Sequence, residues 1–209
     1  KSRKCSLTQH RGEKPEPSPT EVDPTQLLDP EGMVIASTNT PDPGRENNVP
    51  LWISPETTNG LVYNWGTIRS PGQLGGSINL QAVRVAQYGE IRADAETDFG
   101  DGGVINIKAN DLILFTSNSI TTANAGRFGN GGKINIIGNG TLAMPEGAVL
   151  EARGGSGGGD GGTIETSGHG GVALGVRPRV DAPNGKNGLW IIDPPNFYVD
   201  DDGDRMDCD

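Results

Sequence analysis

The sequence predicts an all-β fold: a right-handed parallel β-helix of about four coils, three strands to a coil, preceded by an extended proline-rich arm. Three observations carry that prediction. Four runs begin alike, Gly75-Gly76-Ser77-Ile78, Gly102-Gly103-Val104-Ile105, Gly131-Gly132-Lys133-Ile134 and Gly161-Gly162-Thr163-Ile164. Their lead isoleucines stand 27, 29 and 30 residues apart, and self-similarity at such a period marks a stacked architecture. Between them lie short pieces in which apolar residues alternate with polar or small ones, the period of half-buried strands. Finally, 30 of the 33 glycines fall at or after Gly60, gathered where each coil has to turn.

Each coil reads as three pieces. The first carry Ile78/Leu80, Ile105/Ile107, Ile134/Ile136 and Ile164; the second Val83/Val85, Leu112/Leu114, Leu142/Met144 and Val172/Leu174; the third Ile91/Ala93, Ile120/Thr122, Leu150/Ala152 and Val180/Ala182. Read this way, the step from second to third piece is always 8 residues and from third to next first always 14, while the first-to-second step drifts through 5, 7, 8 and 8. Inward residues then stack on their counterparts at the ~4.8 Å spacing of paired strands. A right hand follows from the preference of parallel crossovers. Gly100-Asp101-Gly102-Gly103, Gly129-Asn130-Gly131-Gly132 and Gly159-Asp160-Gly161-Gly162 are one corner written three times, in residues that tolerate positive φ. Phe99 and Phe128 precede equivalent glycines and are expected to stack outside that corner.

Residues 1–50 hold eight of the 15 prolines, with Pro15, Pro17 and Pro19 in alternation, a composition that favours extended conformations and builds no core. It reads as a linker or as an arm lying on its own solenoid or on a neighbouring molecule. Residues 51–74 mix aromatics with a strand pattern through Trp52, Ile53, Leu61, Tyr63, Trp65 and Ile68. They read as a cap over the apolar end or as a partial coil, because Gly66-Thr67-Ile68-Arg69 matches Gly89-Glu90-Ile91-Arg92. The other reading is an aromatic platform for sugars. Residues 75–199 form the solenoid and residues 200–209 an acidic tail.

A net charge of −10 disfavours nucleic acid and anionic membrane surfaces as partners. No apolar run approaches the ~20 residues of a membrane span, and no signal peptide is visible. The chain opens on Lys1 rather than Met, so it reads as a processed or excised piece.

Outward strand positions are the candidate ligand sites. Asn79, Asn106 and Asn135 are followed on the first face by Glu165, and stacked asparagines exchange amide hydrogen bonds along an axis. On the third face the row reads Arg92, Thr121, Glu151, Asp181. Glu151 and Asp181 are expected as neighbours in adjacent coils, close enough to share a proton, hold Ca²⁺ or act on a glycan; the plainer reading is two solvated acids. Little else serves catalysis. His10 lies in the arm and His169 in a glycine turn, and no nucleophile signature, phosphate loop or zinc spacing occurs. An enzyme is not expected.

The tail holds six aspartates in ten residues, and Asp200, Asp202 and Asp204 resemble a calcium loop without its helices or terminal Glu. The alternative is a solvated acidic end; no other cofactor is suggested. Cys5 and Cys208 are the only cysteines, and they pair within one molecule, pair between molecules, or remain free.

Two blocks carry a family resemblance. Leu150-Glu151-Ala152-Arg153-Gly154-Gly155 followed by Gly161-Gly162-Thr163-Ile164-Glu165-Thr166-Ser167-Gly168-His169 is the first, and Val180-Asp181-Ala182-Pro183-Asn184-Gly185-Lys186 with Gly188-Leu189-Trp190-Ile191-Ile192-Asp193-Pro194 is the second. They resemble the filamentous-haemagglutinin-like exoproteins of bacterial two-partner secretion, abundant also in cyanobacteria. The resemblance implies a secreted or surface-bound right-handed β-helix working as an adhesin, fibre or toxin-presenting stalk. No stretch resembles that family's amino-terminal secretion domain, which leaves the export route open, and the sequence ends soon after the second block, so a short solenoid is expected.

A short β-helix has two open ends, each a template for further strands. Trp52, Trp65, Trp190, Phe197 and Tyr198 offer apolar surface for self-association, and an arm reaching along the next molecule would cover an edge by strand addition. Head-to-tail contacts that do not close give filaments. The expectation is an extracellular adhesin or filament subunit, with self and glycans as partners. The alternatives are a polysaccharide-processing enzyme or a glycan-binding adhesin fragment that does not polymerise.

Overall fold

The computed structural model describes residues 33–36, 51–53, 60–70, 72 and 74–193, and of 33–36 and 51–53 the backbone pairing alone. Its strands are β1 (Met33–Ala36), β2 (Leu51–Ile53), β3 (Leu61–Asn64), β4 (Thr67–Arg69), β5 (Ser77–Gln87), β6 (Glu90–Arg92) and β7 (Val104–Phe115). They continue as β8 (Ile120–Thr122), β9 (Lys133–Gly138), β10 (Thr141–Met144), β11 (Val149–Glu151), β12 (Thr163–Gly168), β13 (Gly171–Leu174) and β14 (Leu189–Asp193). Every pairing is parallel, and no helix occurs among the described residues. The chain is a β-solenoid.

Three faces follow from the register. The first aligns Leu51, Ile78, Ile105, Ile134, Ile164 and Trp190. The second aligns Val34, Val62, Val85, Ile113, Leu142 and Val172. The third aligns Ile68, Ile91, Thr121 and Leu150. Faces one and two share one ten-stranded sheet, because β5 and β7 run unbroken through the bend between them; the third face is a separate four-stranded sheet. A register shift between Ala82 and Arg84 marks that bend in β5. Met33–Ala36, inside the stretch expected to be an arm, pairs with β3, and Gly66–Arg69 supplies the expected earlier third-face strand, with Ile68 opposite Ile91.

Lead isoleucines are fully buried, as the period requires: Ile78, Ile105, Ile134 and Ile164. The phase of two other columns differs from expectation. In the second coil Ile113 and Phe115 point inward and Leu112 and Leu114 outward, and on the third face Thr121 is buried in the column where Ile120 was expected. Inward residues on face two are therefore Val85, Ile113, Leu142 and Val172, so the step from the lead isoleucine is 7, 8, 8 and 8 residues, steadier than first read. The physical reason is that Leu112 to Phe115 are all apolar, so alternation there has no polar member to fix its phase.

Corners are built on close approach. Gly76, Gly103, Gly132, Gly162 and Gly188 stack, and a Cβ on Gly132 would strike the carbonyl oxygen of Gly103, as one on Gly162 would strike that of Gly132. Gly75, at φ 61°, occupies the left-handed region that favours glycine. The polar corner residues tie one coil to the next: Asp101 Oδ1 accepts from Asn130 N at 2.6 Å, Asn130 Oδ1 from Asp160 N at 2.8 Å, and Asp160 Oδ1 from Lys186 N at 2.8 Å. The phenylalanines stack as expected, with Phe99 and Phe128 ring centroids 5.3 Å apart at 17°.

Candidate interaction surfaces

Among the described residues four surfaces carry side chains that β-solenoid geometry sets in rows. The third face presents a polar ladder. Asp94 accepts from Thr122 Oγ1 (2.8 Å) and Asn124 N (2.7 Å); Asn124 donates to Glu151 (3.2 Å) and accepts from Arg153 N (2.8 Å). Arg153 makes a forked pair with Asp181, 2.8 Å at its shortest, and Arg179 reaches both Glu151 and Asp181 at 3.4 Å. The expected Glu151–Asp181 carboxylate neighbours are thus not paired. Glu151 lies opposite Arg179, because the bridge joins residues 28 apart whereas the sequence reading assumed the 30 of the lead isoleucines. Arg153 holds the Asp181 carboxyl below the usual carboxylate range, by its hydrogen bond before its charge, and Arg92 does the same to Glu90. A carboxylate held ionised by arginine is a poor proton donor.

On the first face the asparagine ladder forms as expected. Asn106 Nδ2 donates to Asn79 Oδ1 at 2.8 Å and Asn135 Nδ2 to Asn106 Oδ1 at 2.7 Å. It stops at Glu165, which lies opposite Asn135, and Asn135 Oδ1 is buried without a partner. Glu165 accepts from Ser167 Oγ at 3.2 Å.

One of the two outward rows of the second face is apolar; the other holds Arg84, paired with Asp111, and Thr141. Tyr63, Ala86, Leu114, Ala143 and Ala173 share one register row along the axis, with the backbone of Ile35 opposite Tyr63. At its amino end Tyr63, Trp65 and Tyr88 form a ring cluster with centroids 4.6 to 4.8 Å apart, Trp65 and Tyr88 stacked and Trp65 60% exposed. Burial, then the hydrogen bond with Tyr88, pushes the Tyr63 phenol above its ordinary value. At the carboxy end the row opens into a shallow apolar groove of about 450 Å³ between Leu114, Ala143, Pro145 and Leu174. Sequence reading named Trp65 but missed Tyr88 and the row; same-phase small residues at Ala86, Ala143 and Ala173 were the available signal.

The fourth surface is the carboxy end of the described solenoid. Trp190 takes the lead-isoleucine position opposite Ile164 and donates Nε1–H to Thr166 Oγ1 at 3.0 Å. It closes the column as its last layer, packed on the core beside Val172, Leu174 and Val180, all only partly buried. Leu189 is 57% and Ile191 36% exposed. Among the described residues no strand pairs the outer edge of β13 or β14.

Trp65 and Trp190 are not brought together: one stands on the side of the solenoid and the other at its end. The backbone of Trp52 lies opposite Asn79. Cys5, Cys208, Phe197, Tyr198 and the calcium candidates Asp200, Asp202 and Asp204 lie outside the described residues. No group of three or more His, Cys, Asp or Glu side chains placed to hold a metal occurs among the described residues, and no described helix is long and apolar enough to cross a membrane.

Comparison with family models, with curated proteins and with solved structures finds no match.

Proposed function

We propose that this chain is a secreted or cell-surface structural protein, a haemagglutinin-like adhesin or filament subunit that associates end to end with copies of itself. The observation that carries the reading is the carboxy end of the solenoid. There an apolar last layer of Trp190, Val172 and Leu174 sits under two strand edges unpaired among the described residues. Paired strands satisfy backbone groups that an edge leaves to solvent or to another chain, and the first strands of a second copy offer the same ~4.8 Å step. Such a contact is head-to-tail and does not close, so it propagates. A Cys5–Cys208 bond between molecules belongs to the same reading, as a means of locking successive subunits.

A non-catalytic role is supported by the chemistry of the third face. Of the acids a glycan-processing enzyme would draw on, Glu151 and Asp181 are each tied to arginine. The ladders of asparagine, aspartate and arginine run along the axis and join coil to coil, which is what a load-bearing rod requires.

Negative-stain microscopy of the native, non-reduced chain, repeated with thiol reductant, tests the proposal. Fibres with an axial repeat near one molecule are expected. Their loss on reduction assigns the joint to the two cysteines, and their survival assigns it to strand stacking. Single short particles under both conditions refute polymerisation.

A further inference from the structure

The apolar row on the second face has a ring cluster at one end, a groove at the other, and no charged side chain in its register between Tyr63 and Ala173. Solvent-facing strand positions are ordinarily polar, so this row is built to be covered. The occupant has to be extended, apolar on one side, and able to run along a row of strands. Aromatic-lined grooves receive proline-rich segments, which adopt their bound conformation at little entropic cost.

We propose that the proline-rich segment Pro15–Pro19 of this same chain docks lengthwise on the row, with its proline rings against Tyr63, Trp65 and Tyr88 and its amino-terminal side in the groove at Leu114 and Ala143. Three features favour this occupant over a second molecule. The described chain enters beside the cluster, since Ile35 of β1 is opposite Tyr63. Thirteen residues separate Pro19 from Met33, enough at ~3.1 Å per residue to reach ~40 Å, against ~24 Å from β1 to β13 along the axis. Charge is complementary. Residues 1–14 hold five cations, Lys1, Arg3, Lys4, Arg11 and Lys14, against one acid, Glu13, within a chain of net charge −10. Glu146, next to Pro145 at the groove, is exposed with no ion-pair partner among the described residues. Tethering makes the contact intramolecular, so even a weak site is occupied. The inference stands whether or not the chain polymerises.

The test places a photo-crosslinking benzoylphenylalanine at Ser18 in the full chain and maps the products by mass spectrometry. Crosslinks within one molecule to the Tyr63–Tyr88 cluster and the Leu114–Pro145 stretch, at a yield independent of protein concentration, are expected. The double variant Leu114→Asp with Ala143→Asp changes outward positions only. It should lower that yield about tenfold while circular dichroism and the melting temperature stay close to those of the parent. Three outcomes overturn the proposal. Crosslinks scattered over other faces leave the row to another occupant. Yields that rise with concentration place the arm on a second copy. An unchanged yield in a folded double variant removes the groove from the contact.

Discussion

Thr121 is the residue that sequence patterning most misplaced, and its position explains why. It sits in a column of Ile68, Ile91 and Leu150, with no exposure and its Oγ1 unpartnered. In the three-residue strand Ile-Thr-Thr, hydrophobicity points to Ile120 as the inward residue, and alternation over so short a run cannot correct it. A buried hydroxyl without a partner costs about 1–3 kcal/mol. Thr121→Val keeps the shape and removes the hydroxyl, so a rise in melting temperature of roughly 2–4 °C per kcal/mol gained is expected by calorimetry. Asn135 Oδ1 poses the same problem next to a carboxylate. Glu165→Gln supplies a donor and extends the ladder by one rung, which should stabilise by about 1 kcal/mol. An unchanged melting temperature would mean that the three amides run the other way and already donate to Glu165.

At the scale of the element, the corners and the first face were legible, and the second and third faces were legible only in part. The corner glycines Gly103, Gly132 and Gly162 were legible as a repeat, but not for the positive φ expected of them: none of the three has it, and what calls for the same small residue in every coil is backbone approaching backbone. Gly132→Ala forces its Cβ onto the Gly103 carbonyl, so the corner has to shift in two coils at once. A loss of about 1–3 kcal/mol, seen as early unfolding in urea, is expected. The third face is different, because its outward row depends on the register of three-residue strands, and a 28-residue step put Arg179 where a constant period put Asp181. Its charge pairing has a pH signature. Arg153 lowers the Asp181 pKa, so the pair's contribution is complete above the ordinary carboxylate value of ~4 and is lost as pH falls through the lowered one. Both side chains are partly exposed, so screening keeps the contribution small. The difference in melting temperature between the parent and Arg153→Met should therefore persist from pH 7 to about 5, then shrink below ~4 and in high salt. A difference independent of pH would assign the effect of Arg153 to packing alone.

For the whole molecule, period and glycine placement told the number of coils and their parallel stacking, because one repeating unit specifies the architecture of all. What they did not tell was how the stack ends. The sequence places Trp190 among residues for self-association but not in a column; that position follows from its distance to the preceding corner, since Gly188 precedes Trp190 by two residues as Gly162 precedes Ile164. The proposed joint can be tested at this end through the backbone of the last strand. Leu189 N–H bonds to Gly162 O at 3.0 Å, and in a parallel strand alternate residues bond to the same neighbour. Leu189 and Ile191 therefore face β12, while the backbone groups of Trp190 and Ile192 point to the outer edge. Proline is tolerated on an edge strand where its missing N–H faced outward. Ile192→Pro trims one half-buried side chain of the last inward layer, so it should lower melting only slightly while removing the donor that a second copy would use, and fibres should be absent or much shorter in the microscope. Ile191→Pro, one residue earlier, breaks the bond to β12 and should lower the melting temperature as well. Fibres of normal length in Ile192→Pro would move the joint away from β14, to the edge of β13 or to a face of the rod.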